Sequence, residues 1–151
     1  MKDVKNTFRR LHSKLVGSHW FNDDWQIYNR GPYMQLYKAN WYNDNQSGVH
    51  FETYIESREI KLKRLPVCLH AEEDCPSQQV FIKKLIELES GRIQSWKGME
   101  LVGKGYSVCE KSIPLNVKNL EDRLYSELNL FRQLEDSIDQ ILSTLCDEIV
   151  R

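Results

Sequence analysis

Apolar residues recur along this chain in two rhythms, and the places where the rhythm changes mark out its elements. Phe8, Leu11 and Leu15 fall at three- and four-residue spacing, which predicts an amphipathic helix over about residues 4–16, ended by Gly17. From Trp25 to Asn40 the pattern turns to alternation rich in aromatic residues, "WQIYNR" and "YMQLYKANW" around Gly31-Pro32, and predicts a hairpin. Tyr42–Gly48 has the composition of an exposed loop. "VHFETYIE" then reads as a third strand and "LPVCLHAEE" as a fourth, where Pro66 predicts a sheet edge or a strand start.

The three- and four-residue rhythm returns after Cys75. Pro76 suits a first helical turn, Phe81, Leu85 and Leu88 mark one stripe, and Gly91 is the expected stop. "MELVGKGYSVCEKSIPL" predicts two short strands around Gly103-Lys104-Gly105, closed by Pro114. Beyond Asn116 or Asn119, the residues Leu124, Leu128, Phe131, Leu134, Ile138, Ile141 and Leu145 predict one helix of about 30 residues. The order αββββαββα argues a single α+β domain over residues 1–151, with a curved, mainly antiparallel sheet of about four to six strands and helices on its apolar face.

Alternation also sorts the chemistry. In the third strand Val49, Phe51, Thr53 and Ile55 share one face, and His50, Glu52, Tyr54 and Glu56 the other. In the fourth, Val67, Leu69 and Ala71 oppose Cys68, His70 and Glu72. Two His-x-Glu triplets therefore lie on equivalent faces of neighbouring strands, and the register alone decides whether they meet. Two imidazoles and two carboxylates together could hold zinc, iron or manganese, with a bound water as nucleophile and a free glutamate as base. Apart, they are ordinary cross-strand charge pairs.

Composition narrows the field. The chain has 151 residues, 40% of them hydrophobic, and a formal net charge of −1, so no global basic field recruits nucleic acid or an anionic membrane. No apolar run spans a bilayer and "MKDVKNTFRRLHSKL" lacks a secretory core, so a cytoplasmic location is expected. Cys68, Cys75, Cys109 and Cys146 form no C-x-x-C pair and read as free thiols.

Smaller signals carry less. Glu59-Ile60-Lys61 has the E-x-K form that closes a nuclease motif, but needs a partner acid from another strand. Gly103-Lys104-Gly105 lacks the spacing of a phosphate loop and reads as a turn. Cys75, beside a helix start, reads as a cap residue. Trp20, Trp25, Trp41, Tyr28, Tyr33, Tyr37, Tyr42 and Tyr54 crowd the N-terminal half, as core or as a stacking surface. The C-terminal helix could brace the sheet of a monomer or form the seam of a homodimer.

"GVHFETYIE" and "LPVCLHAEEDCPSQQVF" resemble small bacterial α+β proteins that carry a G-[VI]-H-F-E-[TA] strand and an L-H-x-E-x-x-x-P strand-to-helix junction. The resemblance implies no particular activity. The expected function is a non-enzymatic binding or accessory protein, needing no cofactor, that engages a protein partner or small ligand through His50, Glu52, Tyr54, His70, Glu72, Tyr37 and Trp41. The alternative is a metal-dependent, nuclease-like hydrolase with a divalent transition metal on His50, Glu52, His70 and Glu72.

Overall fold

The computed structural model describes residues 4–42, 48–73, 75 and 77–150. Its centre is a six-stranded, fully antiparallel sheet of order β1-β2-β3-β4-β6-β5. The strands are β1 (Trp25–Asn29), β2 (Tyr33–Lys38), β3 (Val49–Tyr54), β4 (Arg64–Ala71), β5 (Glu100–Lys104) and β6 (Ser107–Pro114). The helices are α1 (Val4–Val16), the short α2 (Ser57–Leu62), α3 (Gln78–Ser95), α4 (Leu120–Phe131) and α5 (Glu135–Val150). The α+β architecture expected from the residue pattern is present, with its N-terminal helix and its long helical C-terminus.

One face of the sheet is apolar because every second strand residue is. Trp25, Leu36, Val49, Phe51, Val67, Leu69 and Cys109 are buried there in one cluster with Phe8 of α1, Phe81 of α3, Phe131 of α4 and Ile138 of α5. Phe51 and Phe131 sit with ring centroids 5.4 Å apart. The whole C-terminal stripe, from Leu124 to Leu145, is buried as its spacing requires. Acidic side chains open both C-terminal helices, Glu121 and Asp122 in α4 and Glu135 and Asp136 in α5, where they suit the positive end of the helix dipole.

The structure departs from the sequence reading at four places. The C-terminal helix is not continuous: a 3₁₀ turn at Arg132–Leu134 separates α4 from α5, and the apolar stripe stays inward across it. Gly91 does not stop α3, which runs on to Ser95, because a glycine in mid-helix weakens the helix without ending it. Leu88, assigned to the buried stripe, is 60% exposed, while Ile82 takes its place beside Phe81 and Leu85. Pro66, by contrast, meets the expectation of an edge or a strand start through the second of these. It lies near the start of the central strand β4, facing Ser112 of β6, before pairing with β3 begins at Thr53↔Val67. The connection after β3 contains α2, whose Glu56 and Glu59 form a reciprocal capping box. Pro76 and the loop residues 43–47 lie outside the described residues.

Candidate functional site

The register that the sequence could not supply is direct. β3 and β4 pair so that His50 faces His70 and Glu52 faces Cys68, and β2 sets Gln35 opposite Glu52 and Tyr33 opposite Tyr54. Directly paired residues project to the same side of a sheet, so all of these share the face opposite the helices. The two His-x-Glu triplets meet.

Three local features aim the side chains. The β4–β6 register shifts at Leu69/His70, and such a bulge bends a strand and re-aims its residues. The tight turn after β5 brings Tyr106 back over His70, with ring centroids 4.8 Å apart, held by a bond from Ala71 N to Tyr106 O of 2.8 Å. Glu72, just past the end of β4, is tied by its own N–H to Gly48 O at 2.9 Å. Gly48 is at φ +80, and an added Cβ would meet Tyr42 O at 2.2 Å, so only glycine permits this close approach.

Glu52 is the hub. Its Oε1 lies 3.2 Å from His50 Nε2 and its Oε2 lies 3.2 Å from His70 Nδ1. Tyr33 donates its hydroxyl to Oε1, and Gln35 Nε2 donates to the same oxygen at 3.4 Å. Glu72 Oε1 stands 3.7 Å from His50 Nε2 and 3.8 Å from His70 Nδ1. Donor atoms of His50, His70 and Glu72 all fall within 4.8 Å of one another, as do those of Glu52, Cys68 and His70. His50 is fully buried, and Glu52 and His70 nearly so, while Glu72 reaches solvent.

These contacts shift the acidities. Burial by itself would raise the Glu52 carboxyl, but the hydrogen bonds from His50, His70 and Tyr33 outweigh it and hold the group well below the usual carboxylate range. Burial, then the neighbouring Glu52 carboxylate, pushes the Tyr33 phenol far up, so Tyr33 stays a neutral donor. Burial, followed by the charges of Cys68, Glu59 and Glu52, does the same to Tyr54. The Cys68 thiol is also raised well above its ordinary value, by burial and then by Glu52.

Above this floor opens a cleft of about 300 Å³ lined by Tyr33, Glu52, Tyr54, Glu56, His70, Glu72 and Tyr106. A larger depression of about 490 Å³ next to it shares Tyr54, His70 and Tyr106 and adds Lys104 and Glu110.

No known protein family, curated protein or solved structure matches this chain. The geometry of the cleft therefore carries the functional argument by itself.

Of the residues expected at the site, His50, Glu52, Tyr54, His70 and Glu72 come together. Tyr37 is on the same face of β2, two positions beyond Gln35, but outside the cleft lining. Trp41 is a correction. It is fully buried on the core side, edge-on to Trp25 and Phe51, with Nε1 donating to Asp139 of α5 at 2.7 Å. The 3₁₀ turn that follows β2 carries it inward, so it offers nothing to a partner. Gln35 and Tyr106 were not assigned to the site. Strand alternation with Tyr33 and Tyr37 could have revealed Gln35, whereas Tyr106 reaches His70 only through the folded turn. Glu59, the acid of the E-x-K pattern, caps α2 through Glu56 N at 3.0 Å, which accounts for it structurally.

Proposed function

We propose that this protein binds a small cationic ligand in the cleft on the polar face of its sheet. The supporting observation is the lining itself: three carboxylates, an imidazole and three tyrosines, with no lysine or arginine among them. A concave site of one sign focuses its field and concentrates counter-ions, and tyrosine faces attract cations electrostatically. The Tyr33 and Tyr54 rings lie stacked at 6.3 Å and form one wall, with Tyr106 on the other side beside His70. The ordered network beneath, with Glu52 fixed by four donors, keeps the negative charge in place before a ligand arrives, which lowers the entropic cost of binding.

The size of the cleft, about 300 Å³, suits a small ligand, and burial of Trp41 removes an aromatic anchor that a protein interface would use. The test is a titration followed by nuclear magnetic resonance of the backbone amides, with zinc chloride and tetramethylammonium chloride as cationic probes and sodium acetate as the anionic control. Saturable shifts clustered at Tyr33, Tyr54, His70 and Tyr106 with at least one cation, and none with acetate, are expected. Binding of acetate alone, or unsaturable shifts spread over the surface with both cations, would overturn the reading.

A further inference from the structure

The floor of the cleft has more specific geometry than a general cation site needs. We infer that His50 Nε2, His70 Nδ1 and Glu72 Oε1, with Glu52 as the fourth donor, form a binding site for one divalent transition metal of the zinc class. The inference rests on the cation-binding reading of the cleft and names the ion.

Spacing is the first argument. Zinc binds imidazole nitrogen and carboxylate oxygen at about 2.0–2.2 Å, so neighbouring donors around a tetrahedral ion stand about 3.3–3.6 Å apart. The four imidazole–carboxylate separations here are 3.2, 3.2, 3.7 and 3.8 Å. Each imidazole nitrogen thus already stands about one polyhedron edge from an oxygen of each carboxylate, Glu72 through Oε1 to both and Glu52 through Oε1 to His50 and Oε2 to His70, so a small turn of the Glu52 carboxylate, without a change of strand register, completes the set.

The protonation pattern at His50 is the second. Its Nε2 faces two carboxylate oxygens, which call for a proton there, and also the amide nitrogen Gln35 Nε2 at 3.1 Å, which calls for a lone pair. No single tautomer meets all three. Turning the Gln35 amide over would only set its oxygen against the Glu52 carboxylate, 3.4 Å from that position. A metal ion would take the Nε2 lone pair and an oxygen from each carboxylate together, and leave the Gln35 amide to Tyr33 and Glu52.

Ligand chemistry is the third argument. Two neutral imidazoles and two carboxylates make a borderline donor set suited to zinc, iron or manganese, and the hard ions calcium and magnesium prefer all-oxygen sites. Burial of both histidines, with Glu72 at the solvent side, gives the ion a dry inner shell and an exchangeable outer edge toward the cleft. Tyr33, donating to Glu52 and itself accepting from Gln35, is the outer partner that orients the buried carboxylate.

The test uses the full chain, stripped with chelator, reloaded with zinc or cobalt(II) and dialysed against metal-free buffer. Close to one equivalent of zinc per chain should be retained, and the cobalt form should show the intense visible bands of a tetrahedral site. Because His50→Ala/His70→Ala removes buried groups and could unfold the chain, Glu72→Ala is the second variant. Glu72 is 31% exposed in its side chain and lies outside the strands, so this variant should fold normally and bind zinc at least ten-fold more weakly. No retained metal, or affinity unchanged in Glu72→Ala, would overturn the inference. A thiolate-to-cobalt charge-transfer band would also overturn it, since the ligand set would then be Glu52, Cys68 and His70. If tetramethylammonium binds and zinc does not, the metal site falls and the cation cleft stands. If neither binds, both fall.

Discussion

Replacing Glu52 by alanine in metal-free protein should cost about 3–5 kcal/mol of stability, the loss seen when one member of a buried charged network is removed. The side chain is 6% exposed, and its two closest imidazole donors are on His50, fully buried, and on His70, 9% exposed in its side chain. Each buried donor left without an acceptor costs about 1–3 kcal/mol, so the two imidazoles account for about 2–6. Tyr33 is only half buried and can turn its hydroxyl to water, adding little. Release of the desolvated carboxylate returns part of the loss. Glu52→Gln is the informative control, because it keeps the shape and removes the charge. One imidazole must then accept from the new amide, which its other tautomer permits, and the bonds fall to about half their charge-assisted strength. A loss of about 1–2 kcal/mol is expected. Guanidinium unfolding followed by fluorescence and circular dichroism would measure both, with m unchanged. The corresponding drop in Tm is about 2–4 °C per kcal/mol for a domain of this size. If Glu52→Ala loses under about 1 kcal/mol, or no more than Glu52→Gln, Glu52 does not organise the cleft floor and the reasoning fails.

Other expectations follow from the same physics. Lys111 of β6 and Glu127 of α4 pair at 2.9 Å with side chains 8% and 6% exposed. Glu127→Ala should therefore cost about 3–5 kcal/mol in urea unfolding, whereas Lys111→Met/Glu127→Leu should recover most of it. Gly48→Ala should destabilise by at least about 2 kcal/mol, because the added Cβ meets Tyr42 and Trp41 backbone atoms at a left-handed φ. It should also weaken zinc retention by shifting the Gly48 O that holds Glu72. Alkaline stability should fall progressively above about pH 9, because burial raises the Cys68 and Cys109 thiols and the Tyr33 and Tyr54 phenols above their ordinary values. Burial pushes the Cys109 thiol from 9.0 up to about 12, so its contribution is complete below pH 9 and lost as pH rises toward 12, at no more than about 1.4 kcal/mol per unit. Lys38 adds a further loss above 10.5: burial lowers it, but its bonds to Asp139 and Glu135 prevail and raise it. Unfolding midpoints from pH 7 to 11 should show a shallower fall in Cys109→Ala, and an identical slope would contradict the burial argument.

Much of the fold follows from residue order because helix and strand impose different local periods. The 3.6-residue repeat places α1 and the C-terminal stripe, and the two-residue repeat separates Phe51 from His50 and Leu69 from His70. Local period says nothing of what interrupts it, so the 3₁₀ turn at Arg132–Leu134 and the passage of α3 through Gly91 were not visible. Nor does period distinguish a buried aromatic from a presented one, which is why Trp41 was misplaced. The site itself depended on register. Sliding β3 past β4 by two residues would keep every side chain on its face and still carry His50 away from His70, with no change in either strand's pattern. The chain alone determined which residues face away from the core. Only the tertiary structure decided that His50, Glu52, His70 and Glu72 converge, because that convergence depends on strand pairing, a bulge opposite His70 and a turn that returns Tyr106 from 36 positions away in sequence.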